Sequence, residues 1–147
     1  MKLSTKGHYG VKAMFDLALH FGEGPIPLKS VAERQDLSEH YLEQLIAGLR
    51  KAGLVKSVRG AQGGYTLAKE PKEIKVGDII RVLEGPIAPV ECVNLEDHDF
   101  CDRSDNCVTR GVWAKVRDSI TDVLDSITLA DMVEEAQSAN ESYMYHI

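Results

Sequence analysis

Residues 28–67 read LKSVAERQDLSEHYLEQLIAGLRKAGLVKSVRGAQGGYTL, and this stretch decides the fold. LKSVAERQ places Leu28, Val31 and Ala32 on one face of a short amphipathic helix. DLS is a turn. SEHYLEQLIAGLRKAG spaces Tyr41, Leu42, Leu45, Ile46 and Leu49 along a longer helix, and VKSVRG and GGYTLA form two strands around a glycine-rich tip. Two helices joined by a tight turn and followed by a hairpin make a winged helix-turn-helix, a DNA-reading module. The expected fold class is mainly α with a small β-wing (α+β): a winged helix-turn-helix head plus a long dimerisation helix.

The N-terminal end of the second of these helices is what such a module pushes into the major groove. It carries Ser38, Glu39, His40, Tyr41, Glu43 and Gln44 opposite the apolar face. The Ser38 hydroxyl can serve a backbone N–H or a phosphate. Gln44 suits an adenine edge, and Glu43 suits a cytosine amino group while repelling phosphate. The competing reading is an ordinary solvated helix face. At the hairpin tip, Gly60, Gly63 and Gly64 allow close backbone approach, and Arg59 is placed to enter a narrow minor groove.

Charge supports a division of labour. The net charge is −6 over 147 residues, which argues at first against a nucleic-acid partner. Residues 1–60, however, hold nine Lys/Arg against six Asp/Glu, while residues 61–147 hold eight against seventeen. A polyanion needs local positive potential only, so the acidic half is expected to lie away from the duplex. No apolar run is long enough for a bilayer and none resembles a signal peptide, so the expected compartment is the cytoplasm, with no membrane partner.

Before the reading stretch, MKLSTKGHYG is a basic, β-capable start. A helix then carries Val11, Met14, Phe15, Ala18 and Leu19 as a stripe, with Ser4 or Thr5 as its cap. After it, KVGDIIRVLEG reads as a short helix with Val76, Ile79, Ile80 and Leu83 inward, and GPIAPVE as a hinge. ECVNLEDHDFCDRSDNC has no periodicity and holds Cys92, Cys101 and Cys107. An odd cysteine count clustered in one loop argues against a disulfide framework and for a metal or redox site. Thiolates select iron–sulfur clusters, zinc or copper(I), and free or redox-active thiols are the remaining option. A long helix follows from about Val108 to Ile127. Its stripe of Val108, Val112, Val116, Ile120, Val123 and Ile127, with Trp113 beside it, suits a partner helix or the chain's own core. LADMVEEAQS is a further short helix, and NESYMYHI a tail. The expected organisation is a winged head over residues 1–84, a cysteine loop over 85–107, the dimerisation helix and following short helix over 108–138, and a tail over 139–147. A reader of roughly palindromic duplex DNA needs two heads at fixed spacing, so a homodimer is expected. No nucleophile–base pair or phosphate cradle is visible, so no enzyme is expected, although three thiols with an open position can in principle hold a catalytic zinc.

MKLSTKGHYGVKAM, LSEHYLEQLIAGLRKAGLVKSVRGAQGGY and VGDIIRVLEGPIAPVEC resemble the Rrf family of bacterial winged-helix regulators, a resemblance spanning nearly the whole chain. The cysteine loop resembles the iron–sulfur regulators of the IscR branch. YLEQL, RVLEGPI and the C-terminal segment are similar to the cysteine-metabolism repressors of the CymR branch, which lacks such a cysteine set. The resemblance implies a homodimer whose long helices cross. It implies DNA contacts from Ser38, His40, Tyr41, Glu43 and Gln44, from Arg59 and the adjoining Gly60, and a 2Fe–2S cluster on Cys92, Cys101 and Cys107. The expected function is a sequence-specific transcriptional regulator sensing cluster or redox status. The alternative is a CymR-like repressor of sulfur metabolism gated by cysteine synthase, whose active site receives tails resembling the aromatic–His–Ile147 end.

Two departures from the IscR pattern stand out. The gap from Cys92 to Cys101 is longer, and Arg110 replaces the histidine that supplies the fourth ligand. Arginine has no lone pair to offer. His8 and His98 are the candidate replacements, with Asp97, Asp99, Asp102 and Asp105 weaker ones. A weak fourth ligand implies a labile cluster, readily lost on purification.

Overall fold

The computed structural model describes residues 3–95 and 107–145. In chain order these form α1 (Thr5–Leu19), α2 (Leu28–Gln35), α3 (Glu39–Lys51), β1 (Val55–Val58), β2 (Gly64–Leu67), α4 (Val76–Glu84), α5 (Val108–Ser126) and α6 (Leu129–Tyr145). Short 3₁₀ turns lie at Pro71–Glu73 and Glu91–Val93.

The helix pair and hairpin lie where the apolar periodicity puts them. α2 buries Leu28, Val31 and Ala32, and α3 buries Leu42, Leu45, Ile46 and Leu49. α2 stops at Asp36, whose φ of 55° is left-handed, a conformation that Asp tolerates better than most residues. Ser38 then starts α3, its hydroxyl accepting from the Tyr41 N–H at 3.3 Å. β1 and β2 pair antiparallel, Val55 opposite Leu67 and Val58 opposite Gly64. Only the Val55–Leu67 end is buried, so the tip projects from the head. Reciprocal backbone bonds between Ile26 and Tyr65 (2.9 and 2.8 Å) anchor the wing to the segment before α2. A side chain on Gly64 would collide with the Ile26 backbone there.

α1 is the central helix, in contact with α2, α3, α4 and α6. Met14, Leu42, Ile46, Leu49, Ile74, Ile79 and Leu129 make up the driest part of the core. Full burial contributes about 1.5–3 kcal/mol for each such side chain. One charged group lies among them. Asp16 is 1% exposed and accepts two bonds from Arg34 (2.9 and 2.7 Å) and one from Gln35 (3.2 Å), which ties α1 to the end of α2. The carboxylate holds the Arg34 guanidinium above its usual pKa, chiefly through this hydrogen bonding.

Three expectations are corrected. The β-capable start is helical from Thr5, because Gly7 and Gly10 let α1 lie directly on the end of α4, where a Cβ on Gly10 would run into Leu83. Ser4 precedes α1, but its hydroxyl bonds Glu84 rather than capping the helix. The helix begun by LADMVEEAQS continues through Tyr145 into the segment expected as a tail, since no Gly or Pro interrupts it. α6 packs on α1. Leu129 is fully buried in the head's core, and the Leu129 N–H donates to the Ile74 carbonyl at 2.9 Å.

Candidate nucleic-acid interface and cysteine segment

The first turns of α3 present Glu39, His40, Glu43 and Gln44 to solvent, beside an exposed Ser38. His40 and Gln44 approach each other at 3.5 Å, and His40 lies 4.0 Å from Glu43, so one connected polar face covers this end. The Ser38 hydroxyl accepts from the helix and still has its own proton to donate. Tyr41 differs from its neighbours. It is half-buried, its ring edge-on to Tyr9 at 5.9 Å and its hydroxyl 3.0 Å from Thr5 Oγ1. Its ring is therefore fixed by α1, while its helix position stays at the same exposed end of α3.

Arg59 is exposed just beyond β1. Gly60 follows with φ +116°, a backbone that L side chains rarely adopt, and so permits the tight tip. Arg50 of α3 donates to Ser57 Oγ at 3.2 Å and fixes the wing's base against that helix. Both proposed reading elements thus rest on one rigid core.

The cysteine segment begins at Gly85. Cys92 lies in the Glu91–Val93 turn, packed against α5, and Cys107 immediately precedes α5. Both are half-buried, and neither is in a disulfide. Arg110 Nε donates to the Cys92 carbonyl at 3.2 Å, and Arg117 Nη1 donates to the Val93 carbonyl at 3.0 Å. The residue replacing the expected histidine ligand thus holds the Cys92 turn onto α5. Cys107 Sγ is 3.1 Å from Thr109 Oγ1. Cys101, His98, Asp97, Asp99, Asp102 and Asp105 lie outside the described residues. Among the described residues, no three His, Cys, Asp or Glu side chains are gathered for a metal. His8 is exposed on α1 at the rim of an apolar hollow that includes Phe15, Ile80 and Leu124.

A family model described as Rrf2, an iron-dependent transcriptional regulator, matches residues 3–135. The chain belongs to the Rrf2 family. As its relatives do, this Rrf2 protein has a winged helix-turn-helix head and is a DNA-binding transcriptional regulator. The HTH-type regulator CymR of Bacillus subtilis is 53% identical over 147 residues, covering all of both chains. An IscR of Pectobacterium atrosepticum is 45% identical over 140 residues, covering 95% of this chain and 84% of its own. Among solved structures, T. potens IscR superposes with a TM-score of 0.79 at 65% identity, covering 99% of this chain and 96% of that one. The B. subtilis global cysteine regulator CymR superposes with a TM-score of 0.77 at 54% identity, covering 92% and 98%. Among the described residues of this Rrf2 protein, no helix is long and apolar enough to cross a membrane.

Polar ties between distant elements, Glu84 to Ser4, Asp16 to Arg34, Arg81 to Asp125 and Arg110 to Cys92, were missed by sequence reasoning. No local pattern encodes such long-range pairs. The only available signal was a charged residue interrupting an apolar stripe, as Asp16 does in α1.

Proposed function

We propose that the chain acts as a homodimer whose two α3 helices and wings read a roughly palindromic duplex, tuned by a 2Fe–2S cluster on Cys92, Cys101 and Cys107. The observation that carries the dimer is α5. It has no buried residue along its length, yet Val108, Val112, Trp113 and Val123 stand exposed on it. A second copy is the simplest cover for that stripe. Ser38, His40, Tyr41, Glu43 and Gln44 provide the major-groove face, and Arg59 with Gly60 the minor-groove contact. No catalytic step is assigned.

The donor set fits a cluster: Cys92 and Cys107 are accessible soft ligands at the two ends of the loop. Such a cluster supplies a group responsive to iron supply and oxidation. Arg110 is engaged with the Cys92 carbonyl, and His8 or His98 is the preferred fourth ligand, ahead of Asp97, Asp99, Asp102 and Asp105. Anaerobic reconstitution with iron and sulfide tests this. Wild type should acquire visible charge-transfer absorption, Cys92→Ser or Cys107→Ser should abolish it, and His8→Ala or His98→Ala should speed its loss. A colourless wild type that retains only zinc overturns the assignment.

The 53% identity with CymR over the whole of both chains supports a second reading, a repressor of sulfur metabolism gated by cysteine synthase. Co-purification with that enzyme, lost on deleting Ile147, is the expected result. Undiminished capture by the shortened chain removes the tail from this role.

A further inference from the structure

α4 touches both halves of the molecule through specific polar contacts. On one side Arg81 makes a bidentate pair with Asp125 of α5 (3.0 and 2.6 Å), and α5 in turn holds the Cys92 turn through Arg110 and Arg117. On the other side stands Glu84, the last residue of α4 and the one before the cysteine segment. Its carboxylate accepts from the Gly7 N–H at 2.9 Å and from the Ser4 hydroxyl. Hydrogen bonding from Ser4 above all holds its pKa below the ordinary carboxylate value, so it is anionic at neutral pH.

Those two partners flank Thr5, whose hydroxyl bonds Tyr41, and one turn later Tyr9 meets the Tyr41 ring. Gly7 leaves room for this arrangement, because a Cβ there would come within 2.8 Å of the Glu84 carboxylate and displace it. The end of α4 and the first turns of α1 are therefore tied together, and Tyr41 rests on α1 at the N-terminal end of α3.

We propose that Glu84 is a positioning residue for DNA reading: by clamping the first turn of α1 it sets the Thr5–Tyr41 contact and couples the cysteine-bearing side to the recognition helix. The inference rests on α3 being the reading helix. In physical terms it predicts that Glu84 affects discrimination, which depends on exact side-chain placement, far more than the phosphate attraction that any basic surface supplies.

The test uses a duplex that the wild-type chain selects from a random pool, and a scrambled duplex of equal length at the same salt. Glu84→Ala should weaken binding to the selected duplex about fivefold, as loss of one net hydrogen bond does, and leave the scrambled duplex unchanged. Thr5→Val breaks the far end of the relay at an exposed position and should show the same selective loss, even should Glu84→Ala fold poorly. Combined with Tyr41→Phe, Thr5→Val should cost no more than the worse single change, because both remove one contact. Equal losses on both duplexes, no loss in Thr5→Val, or multiplying losses in the double variant overturn the relay. Failure of the wild type to enrich any duplex instead overturns the reading of α3 itself.

Discussion

The head and α5 have similar apolar patterning but opposite fates. α3 repeats Leu42, Leu45, Ile46 and Leu49, and all four are buried within one chain. α5 repeats Val108, Val112, Val116, Ile120 and Val123, and none is. Val108 is 85% and Val123 58% exposed. Periodicity states that a face seeks cover, but not whether the cover lies in the same chain. In the head it comes from α1, β1 and α4. For α5 the proposed cover is the second copy, so the two regions should respond differently to substitution.

The largest effect is expected inside the head. Leu49→Ala should lower the unfolding free energy by about 2–5 kcal/mol, because a fully enclosed side chain leaves a cavity. In chemical denaturation its midpoint should fall by the same amount at every protein concentration. A loss under 1 kcal/mol would mean that the core collapses around the gap and is looser than its burial suggests.

Next in size is the stripe of α5. Val112→Glu with Val123→Glu should raise the dimer dissociation constant at least about 100-fold, since two carboxylates would be buried without partners. Helical content should be retained, because neither position belongs to the monomer's core. Light scattering at graded concentration reads the outcome. A variant as dimeric as wild type would show that α5 is covered in some other way.

A smaller effect is expected at the wing, which rests on the head but ends in solvent. Arg59→Ala should weaken the selected duplex by about 1–3 kcal/mol and leave the denaturation midpoint in place. Unchanged affinity would remove the wing from the interface. Glu43→Ala should relax discrimination more than it changes affinity, since an exposed carboxylate works partly by exclusion.

The same contrast marks how far the sequence was legible. The positions of α2, α3 and the hairpin followed from local periodicity and glycine placement, as did the exposure of the polar face around His40 and Glu43. The start of α1 did not, because Gly7 and Gly10 weaken a helix intrinsically and are explained only by α4 lying against them. Leu129 read as part of a separate element, whereas it fills the head's core. Arg110 read only as a missing ligand, and its bond to the Cys92 carbonyl follows from the packing of the turn on α5. Local signals located the exposed polar face of α3 and the wing; the contacts joining them to the cysteine segment depend on the tertiary fold.

The smallest predicted effect concerns the joint between the two regions. Arg81 of α4 and Asp125 of α5 are both partly exposed, and Arg81 also lies 3.7 Å from Asp78, so it keeps a partner when Asp125 is neutralised. Solvent screening and this second partner limit the loss in Asp125→Asn to under about 1 kcal/mol at neutral pH. The pair should leave its mark in pH dependence instead. Hydrogen bonding from Arg81 holds the Asp125 carboxyl below its ordinary value in the folded chain. Its contribution is therefore complete above the unfolded value, about 3.9, and is lost as pH falls through the lowered folded one. Denaturation curves of wild type and Asp125→Asn should stay apart from pH 7 down to about pH 4 and converge below it. A separation that persists undiminished at pH 3 would mean that Asp125 holds α5 by shape and packing around Gly77 rather than by charge, and that the joint is as rigid as the head's own core.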